Sequence, residues 1–139
     1  MILYHSETKF SQPEKLLHKR CLKSLAASEG FTIGDINYIF CDDNYLLNLN
    51  QEYLHHDTLT DIITFDYVEG KRLNGDIYSS IERVRENSVI FSVPFEQELL
   101  RVLSHGVLHL CGYKDKTSEE AAVMRSKEEF AIGLFSSLH

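Results

Sequence analysis

His105 and His109 stand four residues apart, and Asp115 follows six residues later, in the run His105-Gly106-Val107-Leu108-His109-Leu110-Cys111-Gly112-Tyr113-Lys114-Asp115. Residues four apart share one face of a helix, so both imidazoles can reach a single ion. Gly112 can end that helix in a left-handed conformation that most residues avoid, and the reversed chain can bring Asp115 back to the same ion. Two nitrogens and one carboxylate oxygen suit one zinc ion per chain with a fourth position left for water. An open position marks a catalytic rather than a structural site. Either histidine alone reads better as a hydrogen-bonded residue of a buried helix; the full set of paired histidines, glycine and carboxylate points to a metal. Asp115 also has a second reading, as a cap for a helix beginning around Thr117.

The spacing reproduces the H-E-x-x-H-x-x-G-x-x-H frame of metal-dependent proteases, with Asp115 at the third ligand position. The glutamate that would take a proton from water in that frame is replaced by Gly106. Metal binding survives the comparison and peptidase chemistry does not.

The elements that must position these residues follow from hydrophobic period and punctuation. Ile2 to Tyr4 reads as a short strand, and Pro13 opens a helix with apolar Leu16, Leu17, Cys21, Leu22, Leu25 and Ala26 that Gly30 stops. Ile36 to Cys41 reads as a strand, and Asp42 or Asp43 can cap a second helix carrying Tyr45, Leu46, Leu49 and Tyr53. The polar stretch Leu54 to Leu59 reads as a loop. Asp61 to Tyr67 and Asn74 to Ser80 form a hairpin about Glu69-Gly70-Lys71. A short helix is expected over Ile81 to Ser88, and Pro94 opens the helix that carries both histidines to Gly112. Thr117, Ser118 and Glu120 start a last helix ending near Leu134. The expected architecture is α+β, one domain over residues 1–139, with a small mixed sheet of about four strands packed with about five helices.

A chain of 139 residues with 43% hydrophobic content supports one sizeable core. No apolar run approaches the roughly 20 residues that cross a bilayer, and no secretion signal is visible, so no membrane partner is expected. Cys21, Cys41 and Cys111 are odd in number and far apart, which fits a reducing cytoplasm better than a disulfide framework. Lysine and arginine total 14 against 21 acidic residues, and the net charge of -7 argues against general affinity for nucleic-acid backbones. Lys15, Lys19, Arg20 and Lys23 can share a helical face, read as a solvated surface. Phe65, Tyr67, Ile77 and Tyr78 read as core or sheet residues rather than base-stacking platforms.

The run from His105 to Tyr113 resembles the H-G-x-L-H-L-x-G-Y-D-H signature of the YbeY family of bacterial endoribonucleases. His105, Gly106, Leu108, His109, Leu110, Gly112 and Tyr113 stand where that signature asks. Leu49-Asn50-Gln51-Glu52-Tyr53 and Thr60-Asp61-Ile62-Ile63-Thr64-Phe65 are similar to its L-N-x-x-Y-R and T-D-V-L-S-F segments, and Gly75-Asp76-Ile77 to its G-D-I strand. The resemblance implies a metal-dependent hydrolase that cuts single-stranded RNA in ribosomal RNA maturation, with ribosomal RNA or the small ribosomal subunit as partner. Three positions depart. The family's third metal-binding histidine maps onto Asp115, a harder ligand. The arginine after the tyrosine, a candidate for stabilising phosphate charge, is Leu54, beside His55 and His56, which read as solvated loop residues. The proline before the threonine is Leu59.

In the mechanism this implies, His105 and His109 act through the metal, which polarises a phosphoryl oxygen or lowers the pKa of a bound water; the 2′-hydroxyl is an alternative nucleophile. Asp61 is a candidate for orienting a ligand histidine or the water, and reads equally as a strand-edge carboxylate. Two rivals stay open: a ribosome-associated assembly factor with a structural metal, and a metal-dependent peptidase or amidase.

Overall fold

A computed structural model of the chain describes residues 1–54 and 62–138, the side chains at 53 and 54 excepted. The elements run β1 (Ile2–Ser6), α1 (Lys15–Ser28), β2 (Thr32–Cys41), α2 (Asp43–Leu54), β3 (Ile62–Asp66), β4 (Arg72–Ser80), α3 (Ile81–Ile90), α4 (Phe95–Leu110) and α5 (Ser118–Leu138). The strands form one mixed sheet in the order β1-β2-β4-β3. β1, β2 and β4 are parallel, and β3 pairs antiparallel with β4 at the edge. The α+β architecture expected from the hydrophobic pattern is the one observed.

β4 shows how the sheet divides its surroundings. Successive side chains on a strand point to opposite faces. Leu73, Gly75 and Ile77 are buried, while Asn74, Asp76 and Tyr78 alternate with them and are only half-buried. The buried side joins Ile36, Tyr38 and Phe40 of β2 to Leu22 and Leu25 of α1 and to Leu99, Leu103 and Val107 of α4 in the main core. On the other face α2 covers only one end, through Leu46 packed on Cys41 and Ile63.

α4 carries the paired histidines, and it lies unusually close to the sheet. A Cβ on Gly106 would stand 2.8 Å from Cδ1 of Ile77, and one on Gly75 would stand 2.6 Å from the Phe65 carbonyl oxygen and 2.9 Å from Cδ2 of Leu110. The two missing side chains are therefore what lets the C-terminal half of α4 rest on β4. The position after the first histidine faces the core, so a carboxylate there would be buried among Ile77 and Ile62 rather than presented to water.

Element ends differ from the expected ones for local reasons. β2 begins at Thr32 rather than Ile36, because its pairing with β4 is irregular between Ile33 and Ile36 and the alternation is broken there. α1 begins at Lys15, two residues after Pro13, because Glu14 takes a left-handed conformation with φ 54°. Asp42, not Asp43, caps α2 by accepting from the Tyr45 N–H at 2.8 Å; Asp43 instead pairs with Arg83 at 3.1 Å. α5 continues past Leu134 to Leu138. Among the described residues no helix is long and apolar enough to cross a membrane.

Gly75→Ala should destabilise the fold by about 1–3 kcal/mol, the usual cost of overpacking. Urea denaturation would check this, and an unchanged midpoint would refute the close seating of α4. His18, only 1% exposed, meets the Gln12 amide nitrogen at 2.7 Å through Nδ1, and burial pulls its pKa down to about 4. A histidine with a depressed folded pKa stabilises the protein while it is neutral, above the unfolded value of about 6.5. That contribution is lost as the pH falls from there toward 4. The stability gap between wild type and His18→Gln should narrow by about 2 kcal/mol between pH 7 and pH 4.5, at about 1.4 kcal/mol per unit; a gap independent of pH would contradict it.

Candidate metal centre

Because Gly106 faces the sheet, His105 and His109 emerge on the flank of α4, one turn apart, with ring centroids 4.4 Å apart and planes at 83°. α4 then stops in a Schellman turn. The Gly112 N–H donates to His109 O at 3.0 Å and the Tyr113 N–H to Leu108 O at 3.1 Å, with Gly112 at φ 104°. The reversed chain brings Asp115 back, as its spacing predicts. Its Oδ2 lies 3.1 Å from Nε2 of His105 and 3.5 Å from Nε2 of His109. The capping alternative for Asp115 is not used. Thr117 caps α5, its hydroxyl accepting from the Glu120 N–H at 3.1 Å while the Glu120 carboxylate accepts from the Thr117 N–H at 3.0 Å.

Both rings are held from behind. Nδ1 of His109 lies 2.9 Å from the carbonyl oxygen of Tyr113, and Nδ1 of His105 lies 2.6 Å from Oε2 of Glu128 on α5. A carbonyl can only accept, so His109 carries its proton on Nδ1, and the Glu128 carboxylate asks the same of His105. In the neutral rings both Nε2 lone pairs then point toward Asp115 Oδ2, with no proton between the three atoms. Such an arrangement is repulsive until a cation enters it. In a tetrahedron with metal–ligand bonds of about 2.0–2.1 Å the donors sit about 3.3 Å apart, a value that lies between the 3.1 and 3.5 Å separations. One donor atom from each residue lies within 4.8 Å of the others. The residues present fit a divalent metal with nitrogen and oxygen ligands. The side chains are 13%, 26% and 40% exposed from His105 to Asp115, so the set is open on the Asp115 side.

The turn is anchored to two other helices. The Tyr113 hydroxyl donates to Oε1 of Glu29 at 2.5 Å, and Nζ of Lys127 on α5 lies 2.9 Å from Oε2 of the same carboxylate at the end of α1. Partial burial pushes the Glu29 carboxyl up, but the hydrogen bond from Tyr113 and the pairing with Lys127 outweigh it and hold it below its usual range.

Asp61, His55, His56 and Leu59, together with the Leu54 side chain, lie outside the described residues. Ile77 is fully buried, as expected. Tyr67, read from the sequence as a sheet or core residue, falls one residue past the end of β3 and is 57% exposed. With Tyr45, Leu49, Phe65 and Tyr78 it lines a groove of about 560 Å³ beside α2. The basic face of α1 is solvated except for Lys19, which stands over the Tyr4 ring at 5.7 Å. Glu128 was missed from the sequence, although a signal exists: it sits four residues after buried Met124 and three before buried Ala131, on the apolar stripe of α5. Replacing Gly112 by alanine should cost about 1–2 kcal/mol through the positive φ and weaken the candidate metal centre's hold on a divalent ion by displacing the Tyr113 carbonyl and Asp115. Thermal unfolding and zinc titration would check this, and wild-type values in both would refute the role of the turn.

Known proteins are similar to this chain over nearly its whole length. The sequence model of the family described as Endoribonuclease YbeY matches residues 3–135. An Endoribonuclease YbeY of Flavobacterium psychrophilum is 56% identical over 135 residues, covering 97% of this chain and 96% of that protein. Its namesake in Flavobacterium johnsoniae is 53% identical over 135 residues, covering 97% of each. The solution structure of a Thermotoga maritima protein, 33% identical, matches with a TM-score of 0.68 over 97% of this chain and 89% of that one. The match takes in the sheet, α4 and the turn beyond it, and the chain belongs to the Endoribonuclease YbeY family.

Proposed function

We propose that this protein is a metal-dependent endoribonuclease acting on single-stranded RNA in ribosomal RNA maturation, with one zinc ion per chain held by His105, His109 and Asp115. The observation that carries the reading is the meeting of two Nε2 lone pairs and a carboxylate oxygen at 3.1 and 3.5 Å, each ring fixed through its Nδ1. A divalent ion held there supplies a Lewis acid for a phosphoryl oxygen and lowers the pKa of a water beside it. The protein's own contribution is to hold both imidazoles in one tautomer and to leave the Asp115 side open to substrate. Asp61 directly precedes β3 and is proposed to orient that water or a ligand histidine.

A single strand suits this chain better than a duplex. The charge of -7 opposes dense phosphate, whereas exposed rings such as Tyr45 and Tyr67 offer faces on which unpaired bases stack. Docking on ribosomal RNA or the small ribosomal subunit would supply the affinity that net charge withholds. The cytoplasm is the proposed compartment, in keeping with three free cysteines. Burial raises their thiols to about 11 for Cys21 and about 12 for Cys41 and Cys111, which makes them poor nucleophiles. The peptidase reading loses further ground, because the position its base would need faces Ile77 and Ile62.

Protein purified without a metal-affinity tag should contain stoichiometric zinc, and His105→Ala should not. The wild type should cleave unstructured RNA, and His109→Ala or prior chelation should slow cleavage at least about 100-fold, the equivalent of about 3 kcal/mol of transition-state stabilisation. Equal cleavage by both proteins would reject the enzymatic reading. Co-sedimentation of both proteins with small ribosomal subunits, with neither cleaving RNA, would favour an assembly factor.

A further inference from the structure

We infer that Glu128 is a positioning residue of the metal centre, with its carboxylate holding His105 in the metal-binding tautomer. The inference rests on the proposed metal site. Glu128 is brought from α5, 23 residues beyond His105, and is only 4% exposed. A carboxylate is rarely buried this far unless a specific partner holds it.

Two partners compete for that role, and distance decides between them. Arg101, one turn before His105 on α4, reaches the Glu128 oxygens only at 3.4 and 3.5 Å. Its guanidinium is already engaged by Glu98, with Nε to Oε1 at 2.8 Å and a second, shorter contact from Nη2 to Oε2. The short contact of Glu128 is the 2.6 Å one to His105 Nδ1. An ordinary helix–helix ion pair would have shown the reverse order. Arg101 thus acts as a brace that keeps Glu128 in place, and the imidazole is the group Glu128 serves.

The two rings are backed unequally. His109 donates to a neutral carbonyl and His105 to an anion, so only His105 relies on a charged side chain for its orientation. Asp115 and Glu128 place a carboxylate against each nitrogen of the His105 ring, and Arg101 joins Glu128 to Glu98 behind it. Asp115 and Glu128 together make the site a carboxylate–histidine–metal arrangement with an anion on each side of the His105 ring.

The test compares wild type, Glu128→Gln, Glu128→Leu and His109→Ala for zinc affinity against a chromophoric chelator, and for the visible bands of the cobalt(II) form. Glu128→Gln keeps an acceptor for Nδ1 and removes only the charge. It should weaken zinc by about 10–100-fold and shift the cobalt bands, and Glu128→Leu should lose more. Unchanged circular dichroism of the metal-free Glu128→Gln protein would separate this from misfolding. Wild-type affinity and unaltered cobalt bands in Glu128→Gln overturn the role of Glu128 while leaving the metal site intact. A wild type that binds zinc no better than His109→Ala overturns the metal site itself, and this inference with it.

Discussion

The flat seating of α4 on the sheet is the constraint from which the rest follows. At Gly106 and Gly75 there is no room for a Cβ, and helix and strand meet through their backbones and the side chains of Ile77, Ile62 and Leu110. A helix pressed down on one line of contact has its rotation fixed. With Gly106 under the helix, His105 and His109 can only lie on its flank, where they share one opening and neither is lost to the core or spread over the surface. The packing of apolar side chains thus sets an angular coordinate, and that coordinate selects which polar side chains can cooperate.

What the packing leaves unfinished is completed by hydrogen bonds from elsewhere in the chain. The Schellman turn uses the Tyr113 carbonyl to hold one ring, α5 provides the carboxylate that holds the other, and α1 holds the turn itself through Glu29. Each contact is ordinary in strength. Together they keep three mutually repelling donor atoms within 4.8 Å of one another, a geometry that an unsupported loop would relax. Buried charges are tolerated here because they come in a connected set, with Glu98, Arg101 and Glu128 satisfying one another between α4 and α5.

Much of this was legible in the sequence because it is local. The i,i+4 histidines, the glycine that ends their helix and the returning aspartate lie within 11 consecutive residues, and helix geometry alone carries them to one point. The hairpin between β3 and β4 and the order of the elements were likewise written in turn residues and periodicity. The start of β2 was hidden because a register irregularity interrupts the alternation. Glu128 was hidden for a different reason: its partner is 23 residues away on another helix, and only docking α5 on α4 reveals why a charged residue sits on an apolar stripe. Tyr67 was misjudged because a pattern of alternation cannot say where the covering of a sheet face ends: its N–H still pairs with the Asn74 carbonyl at 2.9 Å, but its ring is left exposed.

The dependence of His105 on α5 also orders events during synthesis. The chain emerges from its N-terminus, and residues up to Asp115 already include every direct donor atom of the proposed centre. The ring of His105 gains its backing only when Glu128 has been made and α5 has closed over α4, and Lys127 closes the link back to Glu29 across 98 residues at the same moment. Were Glu128 to back His105 as inferred, docking of the last helix would complete the proposed centre, and its full hold on an ion would come only late in folding.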